Sequence, residues 1–289
     1  MRVPFHWAKV NYTRRQESGV QIECTCWGWS DISADDARAH AQERARRAHV
    51  GRSSDDGPGR DGYDLYRETP LREPVTDRLY GGDGEQVAAV TRNRYGSLVL
   101  NAARVMFVDV DLPAGKAGFW SLFSRKKREE EQLARHERVV SRIVDWSQAH
   151  PEYAFRLYRT AAGYRLLFTD RLFEPLSEEV ARIFKALRAD ALYRLLTRKQ
   201  QCFRARLTPK YWRLPNMLRY ESPHFDRDLY LSQSGKWVER YERDCAGYRV
   251  CSLTETFGPA GSTMPPEVAQ VVALHDEQTR CGEANLPLA

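Results

Sequence analysis

The chain has 289 residues, of which 42% are hydrophobic and 29% are charged, a composition typical of a soluble globular protein large enough to bury a core. No apolar run approaches the roughly 18 residues of a membrane-spanning helix, and the N-terminus lacks the apolar segment of a secretory signal, so we expect no membrane association and a cytoplasmic location. The net charge of +6 favours a polyanionic partner, and the basic residues are mainly arginine, which binds phosphate bidentately.

Several common types of site are not indicated by the sequence. The six cysteines lack zinc-binding spacing, so we expect reduced structural thiols. The seven histidines form no pair at i and i+4, and we assign them no catalytic role. The absence of G-x-S-x-G and of G-x-x-x-x-G-K-[ST] argues against a serine hydrolase and a P-loop ATPase.

The first 62 residues are predicted to form an N-terminal unit. Alternating residues with many aromatic side chains predict a hairpin of two strands, Phe5–Tyr12 and Val20–Trp29. Ser33, followed three residues later by an aspartate, resembles a capping box and predicts a helix to about His49. Residues 51–62 are rich in Gly, Ser, Asp and Arg, which is typical of a flexible loop.

Residues 63–257 are predicted to form an α+β core, and residues 258–289 a helix followed by a mobile tail. The predicted strands are Gln86–Thr91, Ser97–Asn101, Val105–Asp111, Phe155–Thr160, Tyr164–Thr169 and Cys202–Leu207, with further β structure over 229–256. The predicted helices are Glu129–His150, Ser177–Leu196 and Pro266–His275.

The strand Val105–Asp111 ends in two aspartates one residue apart. Side chains at i and i+2 of a strand share a face, so Asp109 and Asp111 are expected to lie side by side. Adjacent carboxylates repel unless a cation lies between them, and hard cations such as Mg²⁺ take oxygen ligands. Taken alone, the pair is more often the solvated end of a strand than a metal site, by about two to one.

Two motifs in this order resemble the catalytic core of the archaeo-eukaryotic primase superfamily, which includes the primase-polymerases. Met106–Asp111 is similar to the family's hhhDhD strand, and Tyr158–Phe168 to its strand-turn-strand motif. The resemblance covers about 103–214 and implies that Asp109 and Asp111 bind Mg²⁺ or Mn²⁺ for two-metal phosphoryl transfer. The expected fold is therefore α+β, with an RRM-like mixed or antiparallel sheet core, flanking helices and an N-terminal β-hairpin plus helix.

The resemblance also implies roles for residues outside the acidic strand. Thr160 and Gly163 correspond to the family's turn, and Arg165 stands where the family has a histidine that contacts the nucleotide phosphates. Asp226 is the nearest match to the family's third catalytic carboxylate, and Asp170 is its rival.

A basic segment follows the predicted strand Cys202–Leu207. Alternation places Arg204 and Arg206 on one face, and Lys210 comes shortly after, close to Tyr211 and Trp212. Guanidinium groups beside aromatic rings suit phosphate contact and base stacking, although the arginines could equally pair with nearby acids on a surface strand. We expect Arg165, Arg204, Arg206 and Lys210 to bind the phosphates of a nucleotide or of a template.

Three functions remain open from the sequence. The first is a primase-polymerase-type nucleotidyltransferase that acts on DNA or RNA and uses nucleoside triphosphates. The second is a non-catalytic nucleic-acid-binding protein on the same scaffold, which the missing histidine favours. The third is a metal-dependent nuclease, because paired aspartates beside basic residues also serve hydrolysis.

Overall fold

The computed structural model describes residues 1, 3–15, 21–50, 70–113, 125–220 and 235–289. The strands are β1 (His6–Arg15), β2 (Gln21–Ser30), β3 (Val75–Tyr80), β4 (Gln86–Arg92), β5 (Leu98–Ala102), β6 (Phe107–Asp111), β7 (Phe155–Thr160), β8 (Gly163–Phe168), β9 (Phe203–Arg206) and β10 (Cys251–Phe257). The helices are α1 (Ala34–Val50), α2 (Arg125–Ala149), α3 (Glu178–Ala186), α4 (Ala191–Gln200), α5 (Gly235–Cys245) and α6 (Pro266–Thr279), with a 3₁₀ turn at Tyr211–Arg213.

Two antiparallel four-stranded sheets enclose one shared core. The first sheet has the order β3-β4-β5-β9 and the second β10-β7-β8-β6. Phe107 and Leu166 of the second sheet and Phe203 of the first belong to the same buried cluster. Helix α2 covers this core with Ile143, and α6 covers it with Val271. Burial of one apolar face of each helix and strand is the main stabilising contribution.

These elements confirm the α+β class with antiparallel sheets, and the N-terminal hairpin followed by a helix. Ser33 is the N-cap of α1, since the Asp36 backbone N–H donates to Ser33 Oγ at 3.1 Å and the Ser33 hydroxyl donates to Asp36 Oδ2 at 2.8 Å. The RRM-like arrangement stays a prediction, because β9 lies near β6 but forms its hydrogen-bonded ladder with β5. None of the helices in the described ranges is long and apolar enough to span a membrane.

Two local predictions were wrong. Within the expected β structure over 229–256, residues 235–245 form helix α5. Its Trp237, Tyr241 and Cys245 recur every four residues and pack on one side. The single helix expected from Ser177 is divided into α3 and α4. At the C-terminus, where a mobile tail is expected, Ala289 is buried and its backbone N–H donates to the Arg249 carbonyl at 3.0 Å, while the mobility of the tail stays a prediction.

The division between α3 and α4 follows from local backbone chemistry. Arg188 adopts a φ of 55°, a left-handed conformation that ends a helix. Asp190 then caps α4, since its side chain accepts from the Tyr193 backbone N–H at 2.7 Å. The break brings Asp190 to the end of β6, where its own backbone N–H donates to the Asp109 carbonyl at 2.9 Å.

Candidate functional site

The acidic motif lies at the end of β6 and is flanked by β8. Asp109 is partly buried and Asp111 is exposed. In the antiparallel register, Asp109 lies opposite Arg165, and Asp111 lies opposite Gly163. The strand-turn-strand motif predicted from the sequence is therefore the direct neighbour of the aspartate pair.

Gly163 permits the close approach of β8 to β6. A Cβ atom at this position would lie 2.1 Å from the Val110 carbonyl oxygen and 2.9 Å from Asp111 Cα. Both are backbone atoms, which cannot move aside as a flexible side chain can. The turn is completed by Thr160, whose Oγ1 accepts from the Gly163 backbone N–H at 3.1 Å. Thr160 and Gly163 therefore shape the turn beside the aspartates.

Arg165 forms a buried ion pair with Asp109. Its Nε donates to Oδ1 at 2.8 Å and its Nη2 to Oδ2 at 3.4 Å, and the side chains are 4% and 32% exposed. Nη1 also donates to the Arg206 carbonyl at 3.0 Å. Burial acts to lower the pKa of Arg165, but the Asp109 carboxylate outweighs it and raises the pKa, so the guanidinium stays charged. Arg165 therefore orients Asp109 instead of extending into solvent.

His275 of helix α6 contacts this ion pair. His275 is fully buried, and its Nε2 lies 3.4 Å from Arg165 Nη1 while its Nδ1 lies 2.9 Å from Asp276 Oδ1. Burial lowers the pKa of His275 and keeps the ring neutral, so Nδ1–H donates to Asp276 and Nε2 accepts from Arg165. Asp276 also accepts from Tyr158 Oη at 2.7 Å and from Arg156 at 2.6 Å. Sequence reasoning missed this group because its members come from distant segments.

Asp190 is a second residue that sequence reasoning missed. Burial raises the pKa of Asp111, and the nearby carboxylates of Asp190 and Asp109 raise it further. Asp190 is thus a described carboxylate close to the DxD pair. Its signal in the sequence was an N-capping aspartate inside a continuous helical pattern.

The two predicted candidates for a third carboxylate have different outcomes. Asp226 lies outside the described residues. Asp170 follows the far end of β8, about 23 Å along the strand direction from Gly163 at roughly 3.3 Å per residue. There it forms an ion pair with Arg171. The structure does not bring Asp170 to the aspartate pair.

Three basic side chains lie near the aspartates, at the end of β9 and in the segment that follows it. Burial lowers the pKa of Arg206 to about 10, and the positive charges of Arg165 and Arg213 lower it too, while Asp109 opposes the shift. The pKa values of Lys210 and Arg213 are also lowered, in each case mainly by burial. Within the described part of the chain, these three groups form no ion pair. We call Arg206, Lys210 and Arg213 the cationic cluster.

Arg204 does not belong to this cluster. Its Nη2 donates to both carboxylate oxygens of Glu73, at 2.8 and 2.7 Å, and its Nη1 donates to Gln200 at 2.8 Å. The Arg204 and Glu73 side chains are both largely buried. Strand alternation places Arg204 and Arg206 on one face. Because Glu73 pairs with Arg204, however, Arg204 stabilises the fold and is not available to a ligand.

The donor set at the end of β6 fits one particular mode of metal binding. Among the described residues, no group of three or more His, Cys, Asp or Glu side chains is arranged to hold a metal ion. Mg²⁺, however, is usually held by one or two carboxylates, with waters and substrate phosphates completing its octahedron. Asp109 and Asp111 supply such a pair. The pKa of Asp111 is raised by burial and then by the carboxylates of Asp190 and Asp109, and a cation would relieve this repulsion.

The chain was compared with protein-family models, curated proteins and solved structures, and none of them matches it.

Proposed function

We propose that the protein is a metal-dependent nucleotidyltransferase of the primase-polymerase type, acting on nucleic acid and nucleoside triphosphates. The observation that carries the proposal is that a group of acidic side chains lies close to a group of basic side chains. The aspartates of β6 face a cationic cluster that has no ion-pair partner in the described residues. A phosphate ligand together with a divalent cation would satisfy both groups.

Each residue has a role in this proposal. Asp109 and Asp111 hold Mg²⁺ or Mn²⁺, and Arg165 fixes the orientation of Asp109 through its two hydrogen bonds. When bound, the metal ion supplies Lewis-acid stabilisation of the charge that develops on the transferring phosphoryl group. Arg206 and Lys210 bind the phosphate oxygens by charge-assisted hydrogen bonds.

The decisive experiment replaces Asp111 rather than Asp109. Asp111 is exposed and has no ion-pair partner among the described residues, whereas Asp109 holds the buried charge of Arg165. We expect Asp111→Asn to lower Mn²⁺-dependent nucleotide incorporation by at least about 100-fold, because one metal ligand loses its charge. Asp145→Asn, at an exposed position on α2, is the matched control and should keep wild-type activity. Full activity of Asp111→Asn would refute the assignment.

The ion pair itself favours a second candidate, a nucleic-acid-binding protein without catalysis. In this case, Arg165 acts as a built-in cation for Asp109 and takes the place of a metal ion. This second candidate function predicts salt-dependent binding of nucleic acid by the wild-type protein in EDTA, with no nucleotide incorporation in either Mg²⁺ or Mn²⁺. A denaturing gel of a labelled nucleic-acid strand after the same incubations distinguishes the third function, because a nuclease would shorten the strand.

A further inference from the structure

Aromatic and basic side chains from two segments form a surface next to the cationic cluster. We call this surface, made of Arg94, Tyr95, Lys210, Tyr211 and Trp212, the aromatic platform. The Trp212 ring lies 5.3 Å from that of Tyr95 and 4.9 Å from that of Tyr211, with interplanar angles of 87° and 88°. The Arg94 guanidinium lies over the Tyr95 ring at 4.7 Å. The platform is therefore built from edge-to-face contacts, with cations at its border.

Trp212 is 49% exposed, which is unusual for the largest apolar side chain. Both tyrosines meet it nearly at right angles, so among the described residues no aromatic ring stacks parallel to it. Lys210 Nζ lies 5.1 Å from the Trp212 ring centroid. The same ammonium group interacts with the charges of Arg206 and Asp111. Lys210 thus connects the exposed indole to the proposed phosphate site.

The platform is held in place before any ligand binds. Asn93 Oδ1 accepts from the Tyr95 backbone N–H at 2.9 Å and from the Ser97 backbone N–H at 3.2 Å, which fixes the β4–β5 turn. Ser97 Oγ then donates to the Pro209 carbonyl at 3.0 Å, which attaches the segment before the 3₁₀ turn to β5. A preorganised surface loses little conformational entropy on binding.

We propose that the aromatic platform binds a single strand of nucleic acid, with one base stacked on Trp212 and the adjoining phosphates on the cationic cluster. Stacking surfaces beside cations that follow the backbone are the mode by which proteins bind single strands. A duplex does not fit this mode, because its base faces are already stacked on each other. The proposal rests on the proposed function, since it uses the same cationic cluster, and it adds the polymer that the site would hold.

The test measures fluorescence anisotropy of a labelled single strand of roughly 12 nucleotides, within the usual site sizes. It is carried out in EDTA with full-length protein, so no metal or catalytic step is needed. A strand of the same length that has an abasic backbone keeps the phosphates but offers no bases. Trp212→Ala is compared with Tyr80→Ala, because Tyr80 is also exposed (53%) but lies at the opposite end of β4 from the β4–β5 turn.

We expect Trp212→Ala to weaken binding of the base-containing strand by about 5-fold to 150-fold, the range for loss of one stacked base. Binding of the abasic strand should change by less than about 2-fold, and Trp212→Phe should restore most of the loss, which separates stacking from misfolding. Tyr80→Ala should bind both strands as wild type does. Equal weakening for both strands, equal effects of the two alanine variants, or equally tight binding of a duplex would each overturn the proposal.

The outcome for the platform is distinguishable from that for the enzyme. If Asp111→Asn keeps full activity while Trp212→Ala shows the base-dependent loss, the metal assignment fails and the strand-binding surface stands. If incorporation depends on Asp111 but Trp212→Ala binds normally, the platform alone is refuted.

Discussion

The two aspartates of the β6 motif should contribute unequally to folding stability. Replacing Asp109 with alanine removes the carboxylate that pairs with Arg165, whose side chain is only 4% exposed, and leaves a buried guanidinium uncompensated. Asp111 has no such partner among the described residues. Its pKa is raised by burial and then by the neighbouring carboxylates of Asp190 and Asp109, so its removal relieves repulsion.

The size of the difference follows from the burial of the pair. Removing one partner of a buried ion pair costs about 3–5 kcal/mol, and we expect about 2–4 kcal/mol here, because Asp109 is 32% exposed and water reaches its side of the pair. At roughly 2–4 °C per kcal/mol for a large domain, Asp109→Ala should lower the Tm by about 4–16 °C. Asp111→Ala should lie within about 0.5 kcal/mol of wild type.

Urea and thermal unfolding at neutral pH, followed by circular dichroism in EDTA, measure both variants. The double variant D109A/R165L is the control for the mechanism, since removing both charges should recover part of the loss, with a coupling energy of about 0.5–3 kcal/mol. Equal stability of Asp109→Ala and wild type would refute the reasoning. So would an equal loss on replacing Asp111, because the cost would not then come from the buried charge.

Three further predictions concern the surroundings of the motif. Gly163→Ala should destabilise the protein by about 1–3 kcal/mol because its Cβ meets backbone, whereas Gly82→Ala, with no atom within 4 Å, should be close to neutral in the same urea titration. Arg204→Ala should lower folding stability but leave nucleic-acid affinity in EDTA unchanged, because Arg204 pairs with Glu73. Arg206→Ala should lower the affinity but leave folding stability unchanged. A loss of affinity in Arg204→Ala but not in Arg206→Ala would assign the phosphate contact to Arg204. Burial acts to raise the pKa of Asp276, but its hydrogen bonds and a neighbouring guanidinium outweigh burial and lower the pKa. The ionised Asp276 therefore contributes to folding stability above its pKa in the unfolded chain, and this contribution is lost as the pH falls through its pKa in the folded protein. Asp276→Asn should therefore be less stable than wild type by about 1–3 kcal/mol at pH 7, with a gap that closes below about pH 4, and a gap independent of pH would contradict this.

Local patterns in the sequence determined the elements near the site. Alternation predicted β6 with Asp109 and Asp111 on one face, and the small residues 161–163 predicted the turn beside them. The N-terminal hairpin and the helix after Ser33 were also predictable, because side chains a few residues apart specify them. Each of these features depends on neighbours in sequence, which is why they could be predicted without a fold.

The partner of each charged side chain was decided only by the tertiary structure. Arg204 and Arg206 are equivalent by strand alternation, yet Glu73, 131 residues away in sequence, pairs with only one of them. Arg165 was expected to reach phosphate, but the antiparallel register places it opposite Asp109, with His275 behind it. Coulomb energies and desolvation depend on distance and burial, and neither quantity is encoded in local periodicity. The sequence by itself determined the strand β6, the turn beside it and the place of the acidic pair, and the packing of α6, β8 and β9 determined which charges are available to a ligand.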